Sequence, residues 1–285
     1  MSIPTPVILD ISEHQPPSDI NYDKLAGAVD GVIIRIQYGS RYLDKHYKTH
    51  IAAFQKRGIP VAVYAWIRGI NKADMEQEAI DFYNRAKAYN PVMWWLDVEE
   101  QSMGDMRGGT EAYRAKLKSL GAKKIGVYVA NHLYKQFNLD MSKFDGIWIP
   151  TYGANNGQYN GSNPTATSNY NLHQYTSNGQ LSGYNGPLDL SRITKGSFSD
   201  LFGTTVNNPS TPDAPKPNKK AGSIMILFVE KGNVYWLVGN KYTHIKTPAE
   251  LAEIKILMEK AGYDTHQHTN SSQIKYLKKL ATEVK

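Results

Sequence analysis

The sequence predicts an α/β protein: an irregular (β/α) barrel over residues 1–203 and a small α+β domain over residues 223–285. Two observations predict this. Before residue 203, short apolar runs alternate with amphipathic, charge-rich stretches, which is typical of strand–helix–strand units around a parallel sheet. Between the two parts, residues 204–222 contain four prolines and almost nothing apolar. Such a composition cannot form a core, so it indicates a partly extended linker between domains.

The barrel is predicted from seven strands and three amphipathic helices. Strands are predicted at 6–11, 31–37, 60–66, 92–98, 124–130, 145–150 and 171–176. Helices are predicted at 44–57, 72–89 and 110–120. Gly58 and Gly121 are suited to end two of these helices. Tyrosine, asparagine and glycine dominate residues 151–187, so we expect the last part of the barrel to be irregular and rich in strands.

The C-terminal segment has strand and helix signals of its own. Strands are predicted at 224–229, 234–238 and 242–245, the first two forming a hairpin around 231–233. Thr247, Pro248 and Glu250 fit the N-cap, the first helical position and the capping-box glutamate of a helix that ends near Gly262. A second helix is predicted to begin at residues 270–271.

The composition excludes several classes of function. The 285 residues include no cysteine, which excludes disulfides, thiolate zinc sites and cysteine nucleophiles. No apolar run approaches the ~20 residues of a membrane span. The first ten residues lack the basic and long apolar regions of a secretory signal, so we expect synthesis in a cytoplasm. We also expect no membrane insertion, no nucleic-acid partner, no metal and no cofactor.

The positive charge is concentrated at the C-terminal end. The whole chain has a formal net charge of +7. Residues 1–213 carry 21 basic and 20 acidic side chains, whereas residues 214–285 carry 12 basic and 6 acidic ones. This asymmetry predicts that the C-terminal part binds an anionic surface. A solvated basic face on a domain that mediates self-association is the alternative.

The segment 93–100, Met-Trp-Trp-Leu-Asp-Val-Glu-Glu, is the most informative in the chain. Asp97 and Glu99 are two residues apart at the end of an apolar strand, and strand side chains alternate with period two, so both carboxyls fall on one face. Burial and like charge are expected to keep one carboxyl protonated near neutral pH. This pairing suits glycosidic bond cleavage, which needs a proton donor and a second carboxylate. The alternative is a strand that simply ends in a solvated acidic turn.

Other strands also end in polar or aromatic residues. In barrels of this class the chemistry lies at the carboxyl ends of the strands. The residues predicted at this rim are Asp10, Gln37, Trp66, Asp97, Glu99, Asn131, Tyr152, Gln174 and Asp189. A need for polar strand ends explains any one of them but explains the collection less well.

With these residues laid out, the first 200 or so positions resemble the family 25 glycoside hydrolases, the Chalaropsis-type lysozymes of phage endolysins and bacterial autolysins. The order of the matching segments is more specific than any one of them. They are Leu-Asp-Ile-Ser at 9–12, Val-Ile-Ile-Arg at 32–35, the run 42–61, Val-Tyr-Ala-Trp at 63–66, Leu-Asp-Val-Glu at 96–99, Gly-Val-Tyr-Val at 126–129, Ile-Trp-Ile-Pro-Thr-Tyr at 147–152, His-Gln-Tyr-Thr-Ser at 173–177 and Leu-Asp-Leu-Ser-Arg at 188–192.

The resemblance implies hydrolysis of the β-1,4 bond between N-acetylmuramic acid and N-acetylglucosamine in peptidoglycan. It assigns Glu99 as the general acid, with Asp97, Asp10 and Asp189 as the other catalytic carboxyls. Substrate contacts are predicted for Tyr64, Trp66, Tyr128, Tyr152, Gln174 and Arg35. One departure is visible: many members carry a His-Phe pair after the third-strand tyrosine, whereas Ala65 and Trp66 follow Tyr64 here.

The physical roles leave one mechanistic question open. Nearby tryptophans are expected to desolvate Glu99 and raise its pKa, whereas Asp97 is expected to stay ionised through hydrogen bonds. Asp97 either attacks the anomeric carbon or orients the 2-acetamido group of the substrate to do so, and both routes retain configuration.

The leading hypothesis is a phage endolysin that passes from the host cytoplasm to the wall through a holin, with residues 223–285 binding anionic wall polymers. Two other functions stay open: a non-catalytic glycan- or wall-binding protein, and a chitinase-like hydrolase. Retention of Asp10, Asp97 and Glu99 argues against a pure binder. Barrel chitinases usually carry Asp-x-x-Asp-x-Asp-x-Glu, and residues 93–95 before Asp97 are Met-Trp-Trp.

Overall fold

The computed structural model describes residues 3–203, 225–238, 241–260, 267–268, 278 and 282–283. The chain divides into two compact units, Met1–Thr211 and Pro212–Lys285. The predicted linker, 204–222, lies outside the described residues. No helix in the described part of the chain is both long and apolar enough to cross a membrane.

The first unit contains the predicted barrel. Its strands are β1 (Ile8–Ile11), β2 (Gly31–Tyr38), β3 (Tyr42–Leu43), β4 (Val61–Trp66), β5 (Trp94–Val98), β6 (Ile125–Val129), β7 (Gly146–Pro150), β8 (Leu172–Gly179) and β9 (Leu188–Ile193). They pair in the order β1-β9-β8-β7-β6-β5-β4-β2-β3, and β1 also pairs with β2, which closes eight strands into a barrel. Neighbouring barrel strands are parallel except around β9, which is antiparallel to β1 and β8. The irregular (β/α) barrel predicted from the sequence is confirmed.

Helices connect the strands from β1 to β7, and one further helix follows β9. They are α1 (Tyr22–Ala26), α2 (Tyr47–Gln55), α3 (Lys72–Ala86), α4 (Met106–Leu120), α5 (Tyr134–Phe137) and α6 (Phe198–Phe202). The prediction began α4 too late, at residue 110. The helix begins at Met106 because the Asp105 side chain accepts a hydrogen bond from the Gly108 N–H at 2.8 Å, an N-cap contact. Gly121 ends it in the left-handed conformation with φ 112°.

Large apolar side chains fill the lower part of the barrel interior. Trp95 is fully buried there and packs edge-on against Trp148, with ring centroids 5.5 Å apart. Gly126 makes room for it, since a Cβ at that position would lie 2.4 Å from the Trp95 ring. Leu201 and Phe202 of α6 belong to the same buried cluster. Within the barrel interior, polar side chains therefore have room only at the carboxyl ends of the strands.

The second unit is a five-stranded sheet with one described helix. Its strands are β10 (Met225–Glu230), β11 (Asn233–Val238), β12 (Lys241–Ile245), β13 (Gln267–His268) and β14 (Thr282–Glu283), in the order β13-β10-β11-β12-β14. The predicted hairpin and third strand are present, whereas β13 and β14 were not predicted. The helix α7 spans Pro248–Lys260. Thr247 Oγ1 accepts from the Glu250 N–H at 3.1 Å, and the Glu250 carboxylate accepts from the Lys246 N–H at 2.8 Å. Most of the predicted second helix lies outside the described residues.

Candidate active site

The strand β5 carries apolar and acidic side chains on the same face. Met93 and Trp95 belong to the interior cluster, whereas Trp94, Leu96 and Val98 pack on the outside of the barrel. Alternation with period two therefore aims Asp97 and then Glu99 into the open end of the barrel. The sequence places an acid pair above a tryptophan, inside the barrel and at the carboxyl ends of its strands.

A cleft of about 210 Å³ lies at this end of the barrel. The ten residues predicted for the site all line it: Asp10, Arg35, Tyr64, Trp66, Asp97, Glu99, Tyr128, Tyr152, Gln174 and Asp189. They come from seven strands and from the two loops that follow β5 and β7, and they are spread over 180 positions of sequence. The structure thus brings together every residue that the sequence predicted for substrate or catalysis.

A hydrogen-bonded network fixes Asp10 on one side of the cleft. The Gln174 amide nitrogen donates to both Asp10 oxygens, at 3.1 and 3.0 Å. The Gln174 amide oxygen accepts from the hydroxyls of Tyr152 at 2.8 Å and Tyr128 at 3.1 Å. Asp10 also lies directly opposite Asp189 in the antiparallel pair of β1 and β9. The two tyrosines therefore orient the amide that holds the Asp10 carboxyl.

Glu99 and Asp189 titrate near neutral pH. Burial, followed by the charges of Asp189 and Glu100, raises the pKa of Glu99 from 4.5 to about 7. Burial raises the pKa of Asp189 from 3.8 to about 6. Glu99 therefore holds a proton through much of the neutral range and gives it up with little cost, as a general acid requires.

Asp97 differs from the sequence-based expectation. Its Oδ1 atom is buried and has no hydrogen-bond partner in the described part of the chain. Burial, then the charges of Glu99 and Asp10, raise its pKa well above the ordinary value, and Arg35 opposes this shift only in part. The expectation that hydrogen bonds hold Asp97 ionised is wrong, because the barrel supplies no donor to this atom among the described residues. Burial and the charge of Asp189 likewise raise the pKa of Asp10 well above its usual range.

Arg35 is a buried cation that lines the cleft. Its Nε lies 3.2 Å from Asp44 Oδ2, and its terminal nitrogen lies 3.3 Å from Glu13 Oε1. Two carboxylates thus hold the guanidinium in place and share its charge. The predicted substrate contact of Arg35 stays a prediction.

The sequence missed three residues that line the cleft: Ser12, His14 and Trp148. The first two follow Asp10 at intervals of two residues, so continued alternation past β1 is the signal that could have found them. Trp148 packs edge-on against Tyr128 at 4.7 Å and donates its indole N–H to Ser191 Oγ at 3.1 Å. Strand alternation in β7 marks it as an interior residue.

Two predicted rim residues do not line the cleft. A β-bulge between Arg35 and Gln37 reverses which side chains of β2 point into the barrel. The Gln37 side chain therefore points away from the barrel interior, where it is buried. There its amide nitrogen donates to the Glu78 carbonyl oxygen at 3.0 Å, and its amide oxygen accepts from Arg85 at 2.7 Å. Asn131 holds the loop at Thr165 through two hydrogen bonds of 3.0 Å. Both are structural residues of the rim.

The described residues contain no group of three or more histidine, cysteine, aspartate or glutamate side chains arranged to hold a metal ion. The model of glycosyl hydrolases family 25 matches residues 9–184. The chain belongs to this family. The match contains three of the four acids in the cleft and ends just before Asp189.

Two solved structures of known proteins are similar to this chain. The virulence factor GHIP of Streptococcus pneumoniae, a glycosyl hydrolase 25, is 41% identical, and the match covers 70% of this chain and 93% of that protein with a TM-score of 0.67. The catalytic domain of endolysin ply40 from bacteriophage P40 of Listeria monocytogenes is 27% identical, with coverage of 72% and 100% and a TM-score of 0.65.

A curated relative is the autolytic lysozyme of Clostridium acetobutylicum. It is 27% identical over 206 residues, which cover 70% of this chain and 59% of the lysozyme. The chain therefore matches less than two thirds of that relative's length.

Proposed function

We propose that this chain is a peptidoglycan hydrolase, an N-acetylmuramidase that cleaves the β-1,4 bond between N-acetylmuramic acid and N-acetylglucosamine. The observation that carries the proposal is the position of Glu99: a carboxyl with a pKa of about 7, at the mouth of an aromatic-lined cleft that it shares with three other carboxyls. Membership of family 25 and the similarity to an autolytic lysozyme and a phage endolysin support it.

In the proposed reaction, Glu99 is the general acid. As the bond between the anomeric carbon and the glycosidic oxygen breaks, Glu99 gives its proton to that oxygen, and positive charge develops on the sugar ring. The resulting Glu99 carboxylate then accepts a proton from the water that completes hydrolysis. Because the pKa of Glu99 lies near 7, both directions of proton transfer are accessible near neutral pH.

Asp97 is proposed to assist at the anomeric centre. It acts either as the nucleophile or as the group that orients the 2-acetamido substituent of the substrate, whose oxygen then attacks. The buried Asp97 Oδ1 atom without a hydrogen-bond donor supports the second route, since an acetamido N–H supplies the missing donor. Asp10 and Asp189 are proposed to be the other catalytic carboxyls at the anomeric centre.

The aromatic residues of the cleft are proposed to hold the sugar rings. Tyr64 is half-buried and lines the cleft with Asp10 and Asp97, and desolvation keeps its hydroxyl neutral by raising its pKa well above 10. Trp66 and Tyr152 present partly exposed ring surface to the cleft. Flat apolar faces with polar edges suit sugars, whose rings also carry both apolar and polar surface.

The second unit is proposed to bind the anionic polymers of bacterial cell walls. The support is its charge, since residues 214–285 carry twelve basic and six acidic side chains. Self-association of this unit is the competing hypothesis. A phage that lyses its host from within would supply the setting: synthesis in the host cytoplasm, and access to the wall through a holin.

The test of the proposed reaction is the identity of the new ends. Purified peptidoglycan is incubated with the full-length protein, and the soluble products are analysed by mass spectrometry. We expect reducing ends of N-acetylmuramic acid. Reducing ends of N-acetylglucosamine would show a different glycosidase, free amines would show cleavage of the peptide stems, and the absence of any product would show a binding protein.

A further inference from the structure

Four side chains at one edge of the cleft contact one another in a closed ring: Tyr38, Trp66, Arg68 and Glu100. The Trp66 indole N–H donates to Glu100 Oε1 at 3.0 Å. Arg68 Nε lies 2.5 Å from the same oxygen. The Arg68 guanidinium lies 4.6 Å from the centroid of the Tyr38 ring, and that ring packs edge-on against Trp66 at 4.9 Å. We call these four residues the rim ring.

Hydrogen bonds also fix the backbone around the rim ring. The Arg68 N–H donates to the carboxyl of Glu78 at 3.1 Å, and Glu78 is only 1% exposed. The Gly39 N–H donates to the Trp66 carbonyl oxygen at 2.9 Å. In the sheet, Trp66 lies beside Tyr38 on one side and Asp97 on the other. The indole therefore has a fixed backbone and a fixed ring orientation next to a catalytic carboxyl.

Trp66 is the member of the rim ring that lines the cleft. It is only partly buried, so part of its ring is available to a ligand.

We propose that Glu100 is a positioning residue, which holds the Trp66 indole as a stacking surface for one N-acetylhexosamine ring of the substrate. The inference rests on the proposed function and extends it to a residue outside the catalytic carboxyls. Glu100 accepts the indole N–H, and its ion pair with Arg68 compensates part of its charge; the remainder still contributes to the raised pKa of Glu99. The contact with substrate is made by Trp66 alone.

The experiment measures binding without turnover. Glu99→Gln supplies the background, and isothermal titration calorimetry measures its affinity for a tetrasaccharide of alternating N-acetylglucosamine and N-acetylmuramic acid. Adding Glu100→Ala is expected to weaken binding by about threefold to tenfold, the range that an aromatic stacking contact contributes. Adding Glu100→Gln is expected to restore most of the affinity, because its amide oxygen still accepts from the indole.

A double-mutant cycle separates positioning from direct contact. Trp66→Phe keeps an aromatic ring but removes the N–H, so it is expected to weaken binding as Glu100→Ala does. Because Glu100 acts through Trp66, Glu100→Ala is expected to add nothing once Trp66→Phe is present. Glu76→Ala is the matched control, since Glu76 is a half-exposed glutamate that forms an ion pair with Lys116, 2.8 Å away on the neighbouring helix.

Equal tetrasaccharide affinity with and without Glu100→Ala would overturn the inference, as would fully additive losses in the cycle or no binding by the Glu99→Gln background. In the otherwise wild-type protein, Glu100→Ala is expected to raise KM with kcat within about threefold of wild type, and a loss confined to kcat would also contradict it. Failure of the proposed function is a separate result, because it would appear as full turnover of peptidoglycan by Glu99→Gln. In that case the KM of Glu100→Ala, compared with that of the wild-type protein, still tests the inference.

Discussion

Two successive inward positions on β5 have opposite character. Trp95 is buried among apolar side chains and fills the barrel, whereas Asp97 is a buried carboxyl without a hydrogen-bond partner for Oδ1 in the described part of the chain. The same alternation that places Trp95 inside also places Asp97 and Glu99 inside. Burial of Trp95 stabilises the fold, whereas burial of Asp97 and Glu99 raises the pKa values of their carboxyls. The lower part of the barrel is filled by packed apolar side chains. Its upper end holds carboxyls whose charged forms are destabilised by burial and by one another.

The largest expected effect is on turnover at the upper end. Glu99→Gln removes the proton donor, and we expect activity on peptidoglycan to fall by about 10²–10⁴-fold, the usual contribution of general acid catalysis. Asp97→Asn and Asp10→Asn should also lower activity. Fold and wall binding should be unchanged in Glu99→Gln, checked by circular dichroism and sedimentation with sacculi. A variant with more than about a tenth of wild-type turnover would exclude Glu99 as the acid.

The next effect concerns stability at the lower end. Trp95→Ala leaves a cavity beneath the acids, and we expect the free energy of unfolding of the barrel to fall by roughly 3–5 kcal/mol. Trp95→Phe keeps most of the packing and should cost less. Calorimetry of the full-length protein checks both, through the shift of the barrel transition. A Trp95→Ala protein as stable as wild type would show that the lower interior is not the packed region described above.

The two ends of the barrel should also differ in their response to pH. A carboxyl whose pKa is raised on folding binds more protons in the folded state than in the unfolded state, so its contribution to stability falls as pH rises between the two pKa values. For Glu99 this window runs from 4.5 to about 7. We therefore expect Glu99→Gln to become more stable relative to wild type as pH rises from 5 to 8. Urea unfolding of both proteins across that range measures the difference in their free energies of unfolding. Buried His50 and His173 are present in both proteins, so their contributions cancel in this difference. A constant difference would contradict the raised pKa.

A smaller effect on catalysis is expected when the second unit is removed. A fragment of residues 1–205 should cleave soluble glycan at close to the full-length rate, because all residues of the cleft lie within it. It should lyse intact cells more slowly, since tethering raises the local concentration of enzyme at the wall.

The fragment 220–285 should sediment with sacculi without cleaving them. Added salt should weaken this binding because it screens exposed charges. A fragment that stays in the supernatant at low salt and forms oligomers would favour self-association instead.

Sequence patterns predicted seven of the eight barrel strands, all except β9, and the acids of the cleft. Asp97 and Glu99 follow from period two, Asp10 and Asp189 were predicted at the same rim, and the resemblance added the catalytic roles of all four. Patterns failed where the backbone departs from regularity. The β-bulge before Gln37 turns the side chain of that residue out of the barrel, and no residue type in β2 indicates that a bulge is present.

The ionisation of Asp97 was also beyond the sequence. It depends on which donors reach Oδ1, and that is set by several strands together. The rim ring is another example, since Tyr38, Trp66, Arg68 and Glu100 meet across three strand ends, and only the structure shows that Trp66 and Glu100 share a hydrogen bond.

The most direct test of the account is the titration of Glu99 itself. ¹³C NMR of the glutamate side-chain carboxyls follows each group in the full-length protein. Burial raises the pKa of Glu78, as well as that of Glu99, to about 7. We expect two resonances with midpoints near 7, one of which disappears in Glu99→Gln. If Glu99→Gln instead removes a resonance that titrates near 4.5, Glu99 is ionised at neutral pH and the upper end of the barrel does not hold the proton donor.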